Sequence, residues 1–186
     1  GGLDGVFTAG TDFSASVAYI AESLGLPGIP YETALDATDK SRMRRIFREK
    51  GVPSPNFRAF SRADLEEAAS GGWIFPVVVK PVDNMGARGV EMVSGRDELR
   101  AKAEKALSHS RTVRFIVEEF IRGPEYSIDA LVHRGEVRIC GIADRHIFFP
   151  PYFVELGHTM PSRAGADVID ELVSVFTQAV EALGIH

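Results

Sequence analysis

Ile74-Phe75-Pro76-Val77-Val78-Val79-Lys80-Pro81-Val82-Asp83-Asn84-Met85-Gly86-Ala87-Arg88-Gly89-Val90-Glu91-Met92-Val93 is the stretch on which the fold turns. The run from Ile74 to Val79 is β-branched and nearly all apolar, which predicts a central strand, with Pro76 tolerated near its beginning. Val90 to Val93 predicts a second strand, so residues 83–89 form a glycine-containing loop between the two. Lys80 closes the first strand. Its stem lies in the apolar layer and its ammonium reaches the loop, where it either binds phosphate or snorkels to water. Gly86 and Gly89 let backbone amides approach a ligand and Arg88 adds a fixed positive charge, which suits covering phosphates and equally fits a structural turn. The GxxxxGK[ST] spacing is missing and no helix starts directly after the loop, which argues against a P-loop nucleotidase.

The flanking residues complete an α+β lobe. On the N-terminal side Phe57 to Phe60 predicts a strand, followed by a helix that Ser61 and Asp64 open as a capping box and Gly71-Gly72 closes. On the C-terminal side a helix from Asp97 to Leu107 precedes the strand Phe115-Ile116-Val117. That strand runs into Glu118-Glu119-Phe120-Ile121. Two carboxylates leaving a core strand either end in solvent or must meet donors, and an adenine amino group and a ribose diol are suitable ones.

After Gly123-Pro124, the alternating runs Glu125 to Val132 and Glu136 to Ala143 predict a hairpin that turns at His133-Arg134-Gly135. An irregular aromatic stretch, Phe148 to Phe153, leads to an amphipathic helix whose Ile169, Leu172, Val173, Phe176, Val180 and Leu183 share a face up to Gly184. Upstream, Gly5 to Thr8 reads as a short strand, Thr11 or Asp12 as a cap, and Val17, Ile20, Ala21 and Leu24 as a helix that stops at Gly25. Pro27-Gly28-Ile29-Pro30 reads as a loop. Thr38 is expected to cap the next helix, which presents Met43, Ile46 and Phe47 on one side and stops at Gly51. Its remaining faces carry Lys40, Arg42, Arg44, Arg45, Arg48 and Lys50, a solvated surface on this reading, and Val52-Pro53-Ser54-Pro55 follows as a linker.

Composition bounds the function. The chain has 186 residues, 45% hydrophobic and 25% charged, enough for a real core in one domain or two small ones. Lys and Arg total 21 against 26 Asp and Glu, so no overall positive field serves nucleic acid or an anionic membrane. The single cysteine, Cys140, excludes an internal disulfide framework and fits a reducing, cytoplasmic setting. No apolar run approaches the roughly 20 residues of a membrane-spanning helix.

The succession of a basic helix, a Pro-x-Pro linker, the VVVKP strand, the glycine loop and VEEFIRGPE resembles the ATP-grasp superfamily from Asp39 onward. It is most similar to the carboxylate-amine ligases, the amino-acid ligase and carbamoyl-phosphate synthase-like branch. The resemblance implies the α+β ATP-grasp fold, two lobes gripping ATP. Residues 1–35 would be the tail of an N-terminal α/β domain, 36–55 a helix and linker, 56–118 the small lobe and 119–186 the first part of the large lobe. It further implies that Lys40 and Lys80 contact phosphates, that the loop with Gly86, Arg88 and Gly89 closes over the triphosphate, and that Glu118, Glu119, Phe120 and Ile121 form the adenine hinge. Glu125 would accept both ribose hydroxyls. Glu155 and His158 in VELGHTMPS, with Arg163 beyond, would face the substrates; His158 would bind a carboxylate or move a proton from the amine, or is simply a structural histidine.

The activity so implied is ADP-forming: a carboxylate attacks the γ-phosphate of ATP and an amine displaces the acyl phosphate, with Lys40, Lys80, Arg88, His158 and Mg²⁺ assisting. The partners would be ATP, a small carboxylate and an amine, with a homodimer left open. The family holds Mg²⁺ with late acidic residues that this chain does not offer. Asp144 and Glu155 are the late carboxylates in plausible positions before the final helix, and neither is assigned to metal. The metal ligands are therefore expected beyond His186, and the chain is read as a fragment or the ordered part of a longer ligase. A non-catalytic nucleotide-binding module is the alternative from another class. A bicarbonate-activating carboxylase relative is the third reading, although its loop is longer and richer in glycine than DNMGARG.

Overall fold

The computed structural model describes residues 2–9 and 13–186. Three helices come first, α1 (Ser14–Ser23), α2 (Tyr31–Thr38) and α3 (Lys40–Lys50). A four-stranded antiparallel sheet follows, in the order β1-β4-β2-β3, built from β1 (Phe57–Ser61), β2 (Val77–Pro81), β3 (Glu91–Val93) and β4 (Arg114–Glu119). Helices α4 (Leu65–Ser70) and α5 (Arg96–Ser108) cover it. A second antiparallel sheet contains β5 (Glu125–His133), β6 (Glu136–Phe148) and β7 (Val154–Thr159), and α6 (Ala166–Leu183) ends the chain, packing on α3.

Strand alternation divides the first sheet into two faces. On β2, Val77, Val79 and Pro81 are buried, and Val77 and Val79 join Phe60, Val93, Leu99, Leu107, Phe115 and Val117 in one core. Full burial of each large apolar side chain contributes roughly 1.5–3 kcal/mol, so this layer fixes β2 firmly between β4 and β3. The opposite face, with Val78 and Lys80, is left for other work. The capping box at Ser61 and Asp64 forms as the sequence indicates, opening a short 3₁₀ turn (Arg62–Asp64) ahead of α4. The strand itself starts at Val77, later than Ile74, because Pro76 supplies no ladder donor; Ile74 is left exposed.

Several expectations at the level of elements need correction. Gly5–Thr8 forms no strand, and Phe7 is 87% exposed. The caps expected at Thr11 and Asp12 lie outside the described residues. Directly after the expected Pro27–Pro30 loop the chain enters α2, a helix to which the sequence pattern assigns no element. Thr38 ends that helix, its hydroxyl donating to the Ala34 carbonyl at 2.8 Å. Asp39 caps α3 instead, accepting from the backbone N–H groups of Ser41 (2.8 Å) and Arg42 (3.1 Å). Strand β6 continues past Ala143 to Phe148, and β7 pairs with its second half. The α3 surface is not simply solvated, since Arg42 binds Asp36 and Glu32, and Lys40 and Arg44 turn inward.

Candidate functional site

Lys80 and Glu118 project from the same face of neighbouring strands. Val78 lies opposite Glu118 and Lys80 opposite Ile116, so the lysine and the glutamate are diagonal neighbours. Lys80 Nζ lies 2.5 Å from one Glu118 oxygen and Arg44 Nε lies 2.9 Å from the other. Glu118 is 3% exposed. Burial works to raise its pKa, yet the charges and hydrogen bonds of Lys80 and Arg44 together hold the carboxyl below its usual range. Lys40 stands at the start of α3, its backbone N–H donating to Val82 O at 2.9 Å and its ammonium to Asn84 O at 2.6 Å. Burial first, and repulsion from Lys80 second, push its pKa below the ordinary lysine value against the pull of Glu118, Asp83 and Asp39. Three cations thus surround one buried anion, an arrangement poised to accept a further polyanion.

The loop between β2 and β3 is anchored at its root and open at its tip. Asn84 donates through Nδ2 to His109 O (2.9 Å) and accepts from Met85 N–H (2.9 Å), while Asp83 holds Thr112 through its N–H and hydroxyl. Gly86, Ala87 and Gly89 take left-handed conformations, and a Cβ on Gly89 would meet the His109 side chain at 3.0 Å. Arg88 Nε donates to Met85 O at 3.0 Å. The loop roofs a cavity of about 690 Å³ whose other walls are Val90, Glu91, Lys105, Arg145, Tyr152, Phe153, Val154 and Glu155. The aromatic stretch reaches this wall because Pro151 O accepts the Met92 N–H of edge strand β3 at 3.0 Å and Lys105 sits 5.1 Å above the Tyr152 ring.

A second cavity of about 500 Å³ is lined by Phe120 to Glu125, Arg145, Ile147, Phe148, Pro150 and Phe153. It shares Arg145 and Phe153 with the first, so the two form one cleft between the sheets. Ile121 is 62% exposed here, and the Phe120 and Phe153 ring centroids lie 6.0 Å apart. Glu125 is held by Arg145 at 3.1 Å, and Arg145 also binds Glu155, whose other oxygen meets His158 Nε2 at 2.9 Å. The Arg145 hydrogen bond, ahead of any other influence, keeps the Glu155 carboxyl low.

Residues 73–186 fit the family model of the ATP-grasp domain. The chain belongs to the ATP-grasp family. Among its relatives, a D-alanine–D-alanine ligase of Ectopseudomonas mendocina (strain ymp) is 32% identical over 169 residues, covering 84% of this chain and 52% of that protein. An alanine–anticapsin ligase of Bacillus subtilis (strain 168) is 27% identical over an alignment of 213 residues, covering 100% of this chain and 43% of the relative. The crystal structure of an L-amino acid ligase from Bacillus licheniformis superposes with a TM-score of 0.83 at 31% identity, covering 99% of this chain and 43% of that one. The chain spans about half the length of the curated relatives it matches.

Within the ATP-grasp frame the expected residues fall into groups. Lys40, Lys80 and Glu118 belong to one buried cluster; Gly86, Arg88, Gly89 and Glu155 line the first cavity; Phe120, Ile121 and Glu125 line the second. Glu119 stands apart, accepting from the Asn56 N–H (3.3 Å) and Nδ2 (3.1 Å). Arg163 lies beside Asp144 in a shallow cleft next to Glu125. For Mg²⁺ the fit fails: among the described residues no three His, Cys, Asp or Glu side chains converge. The nearby acids are already engaged, Asp144 by the Ser162 hydroxyl and Arg163 N–H, Glu125 and Glu155 by Arg145. No step below runs through the metal.

Arg44 and Arg145 are the site residues that sequence reading missed. For Arg44 the signal was the helical spacing of four from Lys40, which puts both on one face. Arg145 was hidden by a bulge. Counting back from the hairpin pair His133–Glu136 places Asp144 across from Glu125, but the register shift at Asp129/Ala130 brings Arg145 there.

Proposed function

We propose that this chain is the nucleotide-gripping part of an ATP-dependent carboxylate-amine ligase, ADP-forming, with amino acids as both the carboxylate and the amine. The observation that carries the reading is the Lys40–Lys80–Arg44 cluster around buried Glu118, set at the root of a glycine loop and beside the cleft. The three relatives named above, a D-alanine–D-alanine ligase, an alanine–anticapsin ligase and an L-amino acid ligase, support the substrate class. In this reading a substrate carboxylate oxygen attacks the γ-phosphorus as the bond to the β–γ bridging oxygen breaks, releasing ADP. The amine then attacks the acyl carbon, phosphate leaves with its bonding pair, and the nitrogen loses a proton. The chain contributes position and charge rather than covalent chemistry. Lys40 and Lys80 neutralise the phosphates, the loop amides near Gly86 and Gly89 cover them with Arg88, the hinge from Glu119 to Ile121 takes the adenine edge, and Glu125 takes the ribose diol. Glu155, His158 and Arg163 face the substrates. The exposed free thiol of Cys140 supports a reducing cytoplasmic setting.

Titration calorimetry of the chain with ATP tests this. Wild type is expected to bind saturably, and Lys80→Met to bind about 10- to 100-fold more weakly, the loss of one charge-assisted contact of roughly 1.5–3 kcal/mol. Equal affinity in the two proteins, or no saturable binding by wild type, would overturn the reading.

A further inference from the structure

A row of charged side chains crosses the second sheet from edge to edge. Glu125 on β5 lies directly opposite Arg145 on β6, and Arg145 lies directly opposite His158 on β7. One guanidinium serves two carboxylates: Nη1 donates to Glu125 Oε2 at 3.1 Å, and Nε donates to Glu155 Oε2 at 3.0 Å, with Nη2 on the same oxygen. Glu155 spends its remaining oxygen on His158 Nε2 at 2.9 Å. Glu125 lines the hinge-side cavity, Glu155 lines the cavity beneath the glycine loop, and Arg145 lines both.

We propose that Arg145 is a positioning residue that links Glu125 to the Glu155–His158 pair, so that filling the ribose side of the cleft reorganises the substrate side. The inference rests on the reading of Glu125 as the acceptor of ribose hydroxyls. A guanidinium carries one charge and a fixed fork of donors, so two acids compete for it. When a ribose diol donates to Glu125, that carboxylate needs less from Arg145, and the guanidinium settles on Glu155. The second acid is then held more tightly, and its hold on His158 changes with it. By linkage, a substrate group that engages Glu155 or His158 alters nucleotide affinity to the same degree. An isolated pair this exposed would contribute little; two acids sharing one fork, with His158 on the far oxygen of one of them and all in fixed cross-strand register, transmit a change of partner. Lysine keeps the charge but cannot span both acids.

The test follows the imidazole ¹H–¹⁵N signals of His158 in the ¹⁵N-histidine-labelled chain, assigned by their loss in His158→Gln, at saturating ATP and at saturating 2′,3′-dideoxy-ATP. Both nucleotides carry the same phosphates, so their difference isolates the ribose hydroxyls, and saturation removes affinity from the comparison. In wild type the two nucleotides should place the His158 signals at different positions; in Arg145→Ala and Arg145→Lys the positions should coincide. Coincident positions in wild type, or a difference that persists in both variants, would overturn the coupling. Calorimetry separates this from failure of the parent reading: ATP should bind on the order of tenfold more tightly than the dideoxy nucleotide. Equal affinity, or no binding, would remove Glu125 from the ribose and the coupling with it.

Discussion

At the scale of single residues, the cluster beside the cleft consists of charges that burial has made responsive. Lys40 shows this most clearly, because desolvation and the neighbouring Lys80 hold its pKa below the usual 10.5. The attraction of a bound polyphosphate opposes both influences and raises that pKa. Between the free and bound values of that pKa ATP binding should therefore take up protons, and the uptake should fade as the pH falls below the free value, where the lysine is charged in both states. Calorimetry in alkaline buffers of different ionisation enthalpy reads this directly; an enthalpy independent of buffer, or unchanged in Lys40→Met, would contradict the role. Lys80 was legible in the sequence because strand alternation and a following proline fix where its stem and ammonium must lie. Arg44 and Arg145 were not, since their partners, Glu118 and Glu125, are set by tertiary contact and by a bulge rather than by neighbours in the chain.

At the scale of elements, the glycine loop is where conformation and function meet. Gly89 combines a left-handed φ of 73° with a neighbour, His109, that a Cβ would press at 3.0 Å; Gly86 has a φ of 67° but open space around it. Gly86→Ala should meet backbone strain alone, about 1 kcal/mol, and Gly89→Ala strain plus crowding, about 2–3 kcal/mol. Urea unfolding of the two variants checks the order, and equal losses would show that the His109 contact yields freely. Elsewhere in the chain, elements with a strong period and a stop were readable, as in the Ser61–Asp64 box and the αL stops Gly51 and Gly184. Helix α2 and strand β7 were not. The first is short and follows a proline-rich turn, and most of the second, Val154–Thr159, is exposed, so neither carries a buried pattern to read.

At the scale of the molecule, two antiparallel sheets meet across a cleft. The linker Phe120–Pro124 and the Pro151–Met92 backbone bond are the points where they join. The two-lobe ATP-grasp arrangement was legible because the order of its motifs survives even where single motifs are weak. The assignment of individual acids in and beside the cleft was less so, because Glu118 and Glu125 each already hold a cation in the structure. The central claim is that a nucleotide sits in this cleft with its phosphates under the loop and its adenine on the linker. Hydrogen–deuterium exchange with and without ATP tests it most directly. Residues 84–90 and 119–125 should exchange more slowly with ATP, while the distant hairpin turn at 133–136 stays unchanged. Protection confined to other segments, or none at saturating ATP, would contradict the account.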